Sequence, residues 1–487
     1  MALSNSVSFA AGGWAEGDEA VVFAGARDES EAGSHLIMAD VSAVGSDKNE
    51  ARADAWGAAV RLVARWLERR ERVDELLESL GRSITGAERA RCQHLVFGVV
   101  RHFGRIEAAL GRLVAHPPRF ATRAVLFVAG FELIEASAEA DEGRVAKIVH
   151  HAVERTKTLT SPAEARLVNA VVRKLAGAMA SPPPPKLAPA EVLAEYFSHP
   201  VWLVRSWLAQ FGAEATRKLL EWNQRPAPVY ARWRGGKVGA EAAELRGEGT
   251  APPDWFKLTE WDGFYEIPAG RWGEVEPLLR SGKIYLQDPA TRIAVDVLAP
   301  QETEVVLDGC AAPGGKSLLI ADTMKRGKVI AMDLPGTRIE RLAENLSRVP
   351  ETVGVALVQA DLRENAAAML KEHELPREFA AVLLDVPCSN TGVMRHRVDV
   401  KWRLQEGDFK KHPRQQKALL SAAARLVGRG GRLVYSTCSI DEEENEHVVR
   451  EFLADRHGQW TLEKSVVSRP WETGHDGAGA FLLRKNG

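Results

Sequence analysis

The spacing of apolar residues changes along this chain and predicts two different kinds of domain. From about residue 50 to residue 177, apolar positions recur three or four apart, as in "AAVRLVARWLERRERVDELLESL" and "RVAKIVHHAVERTKTL". That spacing puts them on one face of an α-helix, so an all-helical domain is expected. Beyond residue 285, short β-branched runs such as "TEVVLDG" and "KVIAMD" alternate with helical runs. Such alternation is typical of an α/β domain with a parallel, doubly wound sheet.

Two further segments separate or precede these domains. The first 50 residues hold nine acidic and two basic side chains without periodicity, which predicts a disordered tail, and Met38 is an alternative start. "SPPPPK" at 181–186 predicts a stiff linker, because proline fixes φ and cannot continue a helix. Short helices and extended runs follow it. The predicted segments are a tail at 1–49, an all-helical domain at 50–180, a linker with an α+β region at 181–284, and the α/β domain at 285–487.

Composition adds few constraints. The chain has 487 residues, 45% hydrophobic and 27% charged, with a net charge of −2, which is ordinary for a multidomain globular protein. No apolar run approaches the length that spans a bilayer, so a cytoplasmic protein without a membrane partner is expected. Residues 51–177 carry 21 basic side chains, 18 of them arginine, against 15 acids. Arginine-rich faces suit phosphate contacts, although a solvated helix surface explains them equally well.

The predicted α/β domain carries acids where its strands end. Asp308, Asp333, Asp361 and Asp385 close four successive strands, and a glycine-rich loop, "GCAAPGGKS", follows the first of them. This loop misses the phosphate-binding P-loop spacing by one residue, and the dinucleotide fingerprint is absent. A single aspartate at such a position is commonly a helix cap. Four acids at one sheet edge instead favour a pocket for a nucleoside-containing cofactor.

The four cysteines have no metal-binding or disulfide spacing, so each is considered singly. Cys92 lies on an apolar helix stripe and is predicted to be core. Cys310 lies in the glycine-rich loop and is expected to pack there. Cys388 and Cys438 both follow predicted strands of the same sheet, which favours a catalytic role over that of a small buried side chain. The residues alone do not decide which of the two attacks.

In this order, "LDGCAAPGGKS", "AMD", "QAD", "LLDVPCSNTGV", "RHRVDVKW" and "YSTCSIDEEENE" resemble the motifs of the bacterial RsmB (Sun/Fmu) RNA cytosine-5 methyltransferases. "ERARCQHLVFGVVRHFGRIEAAL" and "EARLVNAVVRKL" resemble the helical RNA-binding domain of the antitermination factor NusB. The resemblance covers roughly residues 50 to 486. It implies a Rossmann-like methyltransferase domain preceded by a NusB-like domain, with the 181–284 region also contacting RNA. Activity on a cytosine of small-subunit (16S) ribosomal RNA is expected, by a monomer that uses no metal.

The resemblance also implies a cofactor site. S-adenosylmethionine would be the methyl donor, with Asp333 on its ribose, Asp361 on its adenine and Asp385 also among the cofactor-binding residues. Ser317 stands where the family commonly has threonine, which retains the hydroxyl. The loop residues expected to bind the cofactor are Cys310, Ala311, Ala312, Pro313, Gly314, Gly315 and Lys316.

The catalytic roles follow from the same resemblance. Carbon 5 of cytosine is a poor nucleophile, so a thiolate must first add at carbon 6. Cys438, in "STCS", would attack, and Cys388 would assist release of the product by removing the proton at carbon 5. Asp385 would stabilise the ring through nitrogen 3, and Lys316 is a candidate cation for the thiolate.

The sequence leaves several interpretations open. A DNA cytosine-5 methyltransferase, in which the cysteine after proline attacks, and a catalytically idle RNA-binding assembly factor are the alternatives. The basic stretch "RHRVDVKWR" at 395–403 suits either RNA phosphates with stacking on Trp402 or a solvated surface. Glu442 to Glu444 are expected to be structural, as acids in the first turn of a helix. Four tryptophans of the α+β region are expected in its core: Trp202, Trp207, Trp222 and Trp233.

Overall fold

The computed structural model describes residues 54–81, 84, 86–138, 142–180, 182–234 and 251–487. The predicted tail at 1–49 and the alternative start at Met38 lie outside these residues. Within them, no helix combines the length and the apolar composition needed to cross a membrane.

Six helices form the N-terminal part of the described chain, and their apolar faces meet in one core, as the spacing predicted. Asp54 accepts a hydrogen bond from the Gly57 amide and caps the first helix, and Ser161 caps the sixth through the Glu164 amide. Trp66 and Cys92 are fully buried in this core, which confirms the packing role predicted for Cys92. The helices are α1 (Ala55–Arg69), α2 (Val73–Glu78), α3 (Gly86–Leu113), α4 (Phe120–Ala138), α5 (Glu142–Leu159) and α6 (Pro162–Met179).

A small antiparallel sheet and three helices follow. The sheet has the strand order β2-β3-β1-β4. Of the four tryptophans predicted for the core, Trp207 is fully buried and the other three are partly buried, in line with that prediction. The elements are α7 (Ala190–Tyr196), α8 (Val201–Gln224), β1 (Val229–Trp233), β2 (Lys257–Leu258), β3 (Phe264–Ile267), α9 (Trp272–Arg280) and β4 (Ile284–Leu286).

Seven strands of the described C-terminal part form one sheet, in the order β10-β11-β9-β8-β5-β6-β7. Strands β5 to β9 pair in parallel, and β11 runs antiparallel to both its neighbours. The sheet is therefore mixed at one edge, where the prediction had parallel strands only. The elements are α10 (Thr291–Leu298), β5 (Val305–Gly309), α11 (Gly315–Thr323), β6 (Gly327–Asp333), α12 (Arg338–Leu346), β7 (Val353–Gln359), α13 (Ala366–Glu372), β8 (Phe379–Asp385), α14 (Val400–Arg403), α15 (Asp408–Ala423), β9 (Val427–Thr437), α16 (Glu446–Asp455), β10 (Trp460–Ser468), α17 (Pro470–Thr473) and β11 (Ala478–Lys485).

A buried ion cluster fixes the small sheet to the large one. Arg234 donates to both carboxylate oxygens of Asp322, at 2.7 and 2.9 Å, and Arg232 donates to one of them. Both arginines lie at the end of β1, and Asp322 lies near the C-terminal end of α11, the helix that follows the glycine-rich loop. Removing one partner of a buried pair leaves an uncompensated charge, so this contact holds the two sheets in one arrangement.

Within the basic stretch at 395–403, Lys401 and Trp402 differ from both interpretations offered by the sequence. Lys401 is only 1% exposed, and its Nζ donates to the carbonyl of Arg101 in α3 at 2.9 Å. The Trp402 indole N–H donates to the carbonyl of Val100 at 2.8 Å, and Val398 is part of the helical core. This segment therefore docks the C-terminal α/β part onto the N-terminal helices. Neither a solvated surface nor a stacking platform for RNA describes Trp402.

The docking role of Trp402 predicts a large and specific loss of stability. Trp402→Ala removes a ring that packs edge-on against Phe103 at 5.1 Å and leaves the Val100 carbonyl without its donor. The expected loss in the free energy of unfolding is roughly 2–4 kcal/mol, measured by urea denaturation. Trp272→Ala is the matched control, because that side chain is 57% exposed, and it should cost less than about 1 kcal/mol. Equal losses in the two variants would contradict the docking role.

Candidate active site

The functional side chains meet at the edge where the parallel strands end. Asp385 at the end of β8 is in register with Ser436 of β9, and Asp333 at the end of β6 is in register with Gln359 of β7. Parallel strands place their carboxyl ends on one side of the sheet, where ligands bind in such folds. The residues singled out from the sequence thus lie in the loops of a single edge.

Cys388 and Cys438 are direct neighbours in this edge. Their Sγ atoms lie 3.1 Å apart, although 50 residues separate them in the chain. Cys438 also donates to the side-chain oxygen of Asn390 at 3.2 Å. Cys388 is buried and Cys438 is partly accessible. The accessible thiol is the one that a substrate can reach, and the buried one lies directly behind it.

Lys316 and Asp385 form the charged pair beside the two thiols. Lys316 Nζ donates to Asp385 Oδ2 at 2.6 Å, and the Ser436 hydroxyl donates to Oδ1 at 2.6 Å. Burial lowers the pKa of Lys316, but the charge of Asp385 and this hydrogen bond outweigh it, so the net pKa is raised. A negative charge on Cys438 acts in the same direction. Lys316 is therefore a stable cation close to Cys438.

A buried glutamate holds the loop that carries Cys388. Glu444 is fully buried and accepts hydrogen bonds from the Ser389 amide at 3.0 Å and from Gln416 Nε2 at 3.0 Å. It also accepts from the Ser389 hydroxyl. Glu444 is thus structural, as predicted, but the reason predicted for that role was wrong. Helix α16 begins only at Glu446, and Glu444 acts as an acceptor for the neighbouring loop instead of in the first helical turn.

The glycine-rich loop packs against Asp333. The Ala312 amide donates to Asp333 Oδ2 at 2.8 Å, and the Leu334 amide and Arg338 donate to Oδ1 at 2.8 and 2.9 Å. A carboxylate offers about four acceptor positions, so one remains for a ligand hydroxyl. Gly314 has φ of +102°, and a Cβ there would lie 2.9 Å from the Leu342 side chain. Packing on α12 therefore demands glycine at this position.

Asp361 and Cys310 lie close to this loop. Asp361 binds Arg363 through side-chain contacts of 2.6 and 3.0 Å, and this bond lowers the pKa of Asp361 against the opposing effect of burial. Cys310 packs partly buried against the sheet core, which confirms the packing role predicted for it. Burial and three nearby aspartates raise the pKa of the Cys310 thiol, so it is unsuited to attack as a thiolate.

Asp308 departs from the prediction that four strand-end acids line a pocket. Its side chain is fully buried, and its Oδ2 accepts a hydrogen bond from the Ser317 hydroxyl, while Oδ1 has no partner. Burial raises the pKa of Asp308 to about 7, in opposition to the Ser317 hydrogen bond. The Ser317 hydroxyl thus binds a buried carboxylate in the protein interior and does not line an open cleft.

The sequence reasoning missed several residues that complete the site. Asn390 has φ of +62°, donates to the Cys388 carbonyl at 2.9 Å and accepts from Cys438. Asparagine tolerates this left-handed conformation, so the "CSNTG" turn carried a usable signal. Ser436 carried none, because a serine within a strand has no distinguishing pattern. Glu444 lay within a run of acids whose burial only the tertiary structure reveals.

Comparisons with known proteins agree with this geometry. Residues 295–477 match the family model described as 16S rRNA methyltransferase RsmB/F, and residues 53–177 match the NusB family. The chain is 32% identical over 425 residues to the ribosomal RNA small subunit methyltransferase B of Sodalis glossinidius, covering 85% of this chain and 92% of the relative. The protein of that name from Erwinia tasmaniensis is 28% identical over 434 residues, covering 85% and 92%. A crystal structure of the protein PH0851 has a TM-score of 0.68 at 24% identity, over 88% of this chain and 99% of that chain.

Fold and site together define a Rossmann-like methyltransferase that carries a NusB-like helical domain at its front. The solved structure supports the fold, and the family models and relatives support the class. The chain belongs to the ribosomal RNA small subunit methyltransferase B family.

The buried acceptor Glu444 predicts a coupled loss of stability and activity. Glu444→Ala leaves Ser389 and Gln416 without their acceptor, which should lower the free energy of unfolding by about 2 kcal/mol or more. Methyl transfer should fall as well, because Ser389 fixes the position of Cys388. Urea denaturation and a methyl-transfer assay measure the two effects. The exposed Glu442→Ala is the control, and a Glu444→Ala protein that matched it in both assays would refute this role.

The buried carboxyl of Asp308 predicts a pH-dependent stability. Its folded pKa of about 7 exceeds the value near 4 of the unfolded chain, so the folded state binds the proton more tightly. The stabilisation that the bound proton provides is complete at pH values below the unfolded pKa, and it is lost as the pH rises to about 7. We therefore expect the free energy of unfolding of Asp308→Asn, relative to that of the wild type, to increase by at least about 1 kcal/mol from about pH 5 to about pH 8. Urea denaturation at each pH measures this difference. Asp262→Asn, whose carboxylate is fully exposed, should show no such trend.

Proposed function

We propose that this protein transfers a methyl group from S-adenosylmethionine to carbon 5 of a cytosine in small-subunit ribosomal RNA, through a covalent adduct with Cys438. The observation that carries the proposal is the contact of 3.1 Å between the Sγ atoms of Cys388 and Cys438, beside the Lys316–Asp385 pair. Two thiols and a cation at one strand edge supply a nucleophile, a second proton-handling group and a charge that favours a thiolate.

The choice of RNA rests on the helical domain and on the relatives. Residues 53–177 match the NusB family, and the relatives from two bacteria carry ribosomal RNA of the small subunit in their names. The two family models end at 177 and begin at 295, which supports the proposed boundaries near 180 and 284. The target base must leave its stack to reach Cys438, because chemistry on a base requires access to its ring.

The residues of the glycine-rich loop fit the cofactor. Asp333 keeps one acceptor position free for a ribose hydroxyl. We propose that the loop Cys310–Lys316, with Asp333, Asp361 and Asp385, holds S-adenosylmethionine. When bound, this cofactor supplies an electrophilic methyl group.

Attack by Cys438 requires its thiolate. The Lys316 ammonium and a negative charge on Cys438 attract each other, so this cation favours the ionised nucleophile. The thiolate forms a bond to carbon 6 of the cytosine, and the electron pair of the carbon 5–carbon 6 bond becomes available at carbon 5. Both oxygens of Asp385 accept hydrogen bonds, so we assign it the carboxylate form. In that form Asp385 orients Lys316. Lys316 is then the group that can donate a proton to the cytosine ring, where negative charge develops.

Cys388 becomes a base only after the adduct forms. Its hydrogen bond to Cys438, its burial and a negative charge on Cys438 raise the pKa of the Cys388 thiol well above its usual range. In the adduct, Cys438 is a thioether, so its negative charge is gone and its hydrogen bond to Cys388 is weakened. The pKa of Cys388 then falls, so its thiol can release its proton to water and the resulting thiolate can remove the proton on carbon 5. Loss of that proton restores the double bond and expels Cys438 as a thiolate.

The two cysteine roles predict different outcomes for the two alanine variants. With unmethylated ribosomal RNA and labelled S-adenosylmethionine, Cys438→Ala should give no product. Cys388→Ala should form the adduct but release it slowly, so protein and RNA should migrate together on a denaturing gel. Cys92→Ala, in the helical core, is the control and should form 5-methylcytosine. The product is mapped on the RNA by sequencing.

Other results would change the assignment. An active Cys438→Ala protein would mean that another residue attacks. Label on DNA but not on RNA would favour a DNA methyltransferase. A folded wild-type protein that binds the RNA but labels neither nucleic acid would leave an assembly factor as the better description.

A further inference from the structure

A second cluster of ionisable side chains lies next to the cysteines and has no role in the steps above. Asp288 precedes α10, His396 lies between β8 and α14, and Asp476 precedes β11. His396 Nε2 lies 3.6 Å from Asp288 Oδ2 and 3.6 Å from Asp476 Oδ2. One ring nitrogen of His396 and one carboxylate oxygen of each aspartate lie within 4.8 Å of one another. Residues almost 190 positions apart in the chain thus converge on one point.

The cluster is buried but incompletely satisfied. The Asp288 and Asp476 side chains are 10% and 8% exposed, and Asp476 Oδ1 has no hydrogen-bond partner. The distances of 3.6 Å exceed those of a hydrogen bond, so His396 holds the carboxylates by charge more than by a directed bond. Two buried carboxylates at this separation repel each other unless a positive charge lies between them.

Backbone contacts connect the cluster to the nucleophile. Next to Asp476, the Gly477 amide donates to the Gly392 carbonyl at 2.9 Å, and the Gly392 amide donates to the Cys438 carbonyl at 3.0 Å. A Cβ at Gly392 would lie 2.7 Å from both the Cys438 and the Gly477 carbonyl oxygens, so the three turns are in close contact. A shift of the Asp476 turn would therefore move Cys438.

The charges around the cluster favour a cationic His396. Burial lowers the pKa of His396 and Arg395 adds to this, but the two aspartates outweigh both and the net pKa is raised. Burial, the charge of Asp288 and a negative charge on Cys438 raise the pKa of Asp476. The titratable and charged groups that face the cluster are Tyr230 on β1, Arg395, Cys438 and His475.

We propose that His396 is a positioning residue whose positive charge holds the Asp476–Gly477 turn against the Cys438 turn. Loss of this charge removes the cation between Asp288 and Asp476 and leaves the hydrogen bond from the Asp476 amide to Asp288 Oδ1, at 3.2 Å, to hold their turns together. The role in methyl transfer rests on the proposed function, whereas the structural coupling does not. An arginine at position 396 would supply the charge at every pH, and a glutamine would supply it at none.

Hydrogen exchange tests the coupling without any assay of activity. Protection of the peptide spanning residues 474–480 is compared by mass spectrometry in wild type, His396→Arg and His396→Gln, each at about pH 6 and about pH 9. At matched pH, His396→Gln should exchange at least roughly tenfold faster than His396→Arg. The wild type should match the arginine variant at the lower pH and approach the glutamine variant at the higher one. Methyl transfer by the wild type should show an alkaline decline that is absent in His396→Arg.

The possible outcomes separate this inference from the proposed function. Equal protection in all three proteins would overturn the inference, even if every one of them methylates RNA. The predicted exchange pattern without methylation would support the coupling and count against the proposed function. Dialysis against a chelator and addition of zinc form a further arm. If zinc alone restored protection to wild type but not to His396→Gln, a metal and not a proton would be the positive charge, and the proposal would be wrong.

Discussion

The parallel pairing of β8 with β9 is the constraint on which the site depends. Because Asp385 and Ser436 are in register, the loops that follow the two strands start side by side, and Cys388 and Cys438 meet at 3.1 Å. Each loop is then fixed from a different direction. Glu444 holds the first through Ser389, and Asn390 links the two through hydrogen bonds to both cysteines. The position of Cys438 thus follows from strand register and not from the cysteine motif itself.

One short segment connects this site with the helical domain. The chain that leaves Cys388 passes Gly392, which contacts the Cys438 turn, and then His396, and it ends with Lys401 and Trp402 against α3. Burial of the Lys401 ammonium lowers its pKa well below the usual range, so this contact costs free energy that the surrounding packing offsets. A site held in this way has a defined position relative to the NusB-like helices. RNA held by those helices would meet the nucleophile in a fixed orientation.

The sheet edge that carries the two cysteines holds more buried charged side chains than the stability of the fold alone would favour. Asp308 and Asp385 lie near the ends of β5 and β8, close to Lys316 at the start of α11, and Asp288 and Asp476 lie close to Cys438. Buried like charges destabilise a fold unless protons or counter-charges accompany them. Perturbed groups of this kind are typical of functional sites, where proton transfers must occur near neutral pH. The pKa of the Cys388 thiol is likewise raised well above its usual range, by its hydrogen bond to Cys438 and by burial.

The sequence by itself determined the two fold classes, the strand-end acids and the pair of candidate cysteines, because these depend on periodicity and on local motifs. It did not determine that Asp308 turns inward, that Trp402 docks a domain, or that Glu444 holds the Cys388 loop. Those roles depend on which surfaces become buried, and burial is decided by contacts between residues tens to hundreds of positions apart. The cluster of Asp288, His396 and Asp476 has no sequence signature for the same reason. Its three members come together only because the sheet order places their turns at one edge.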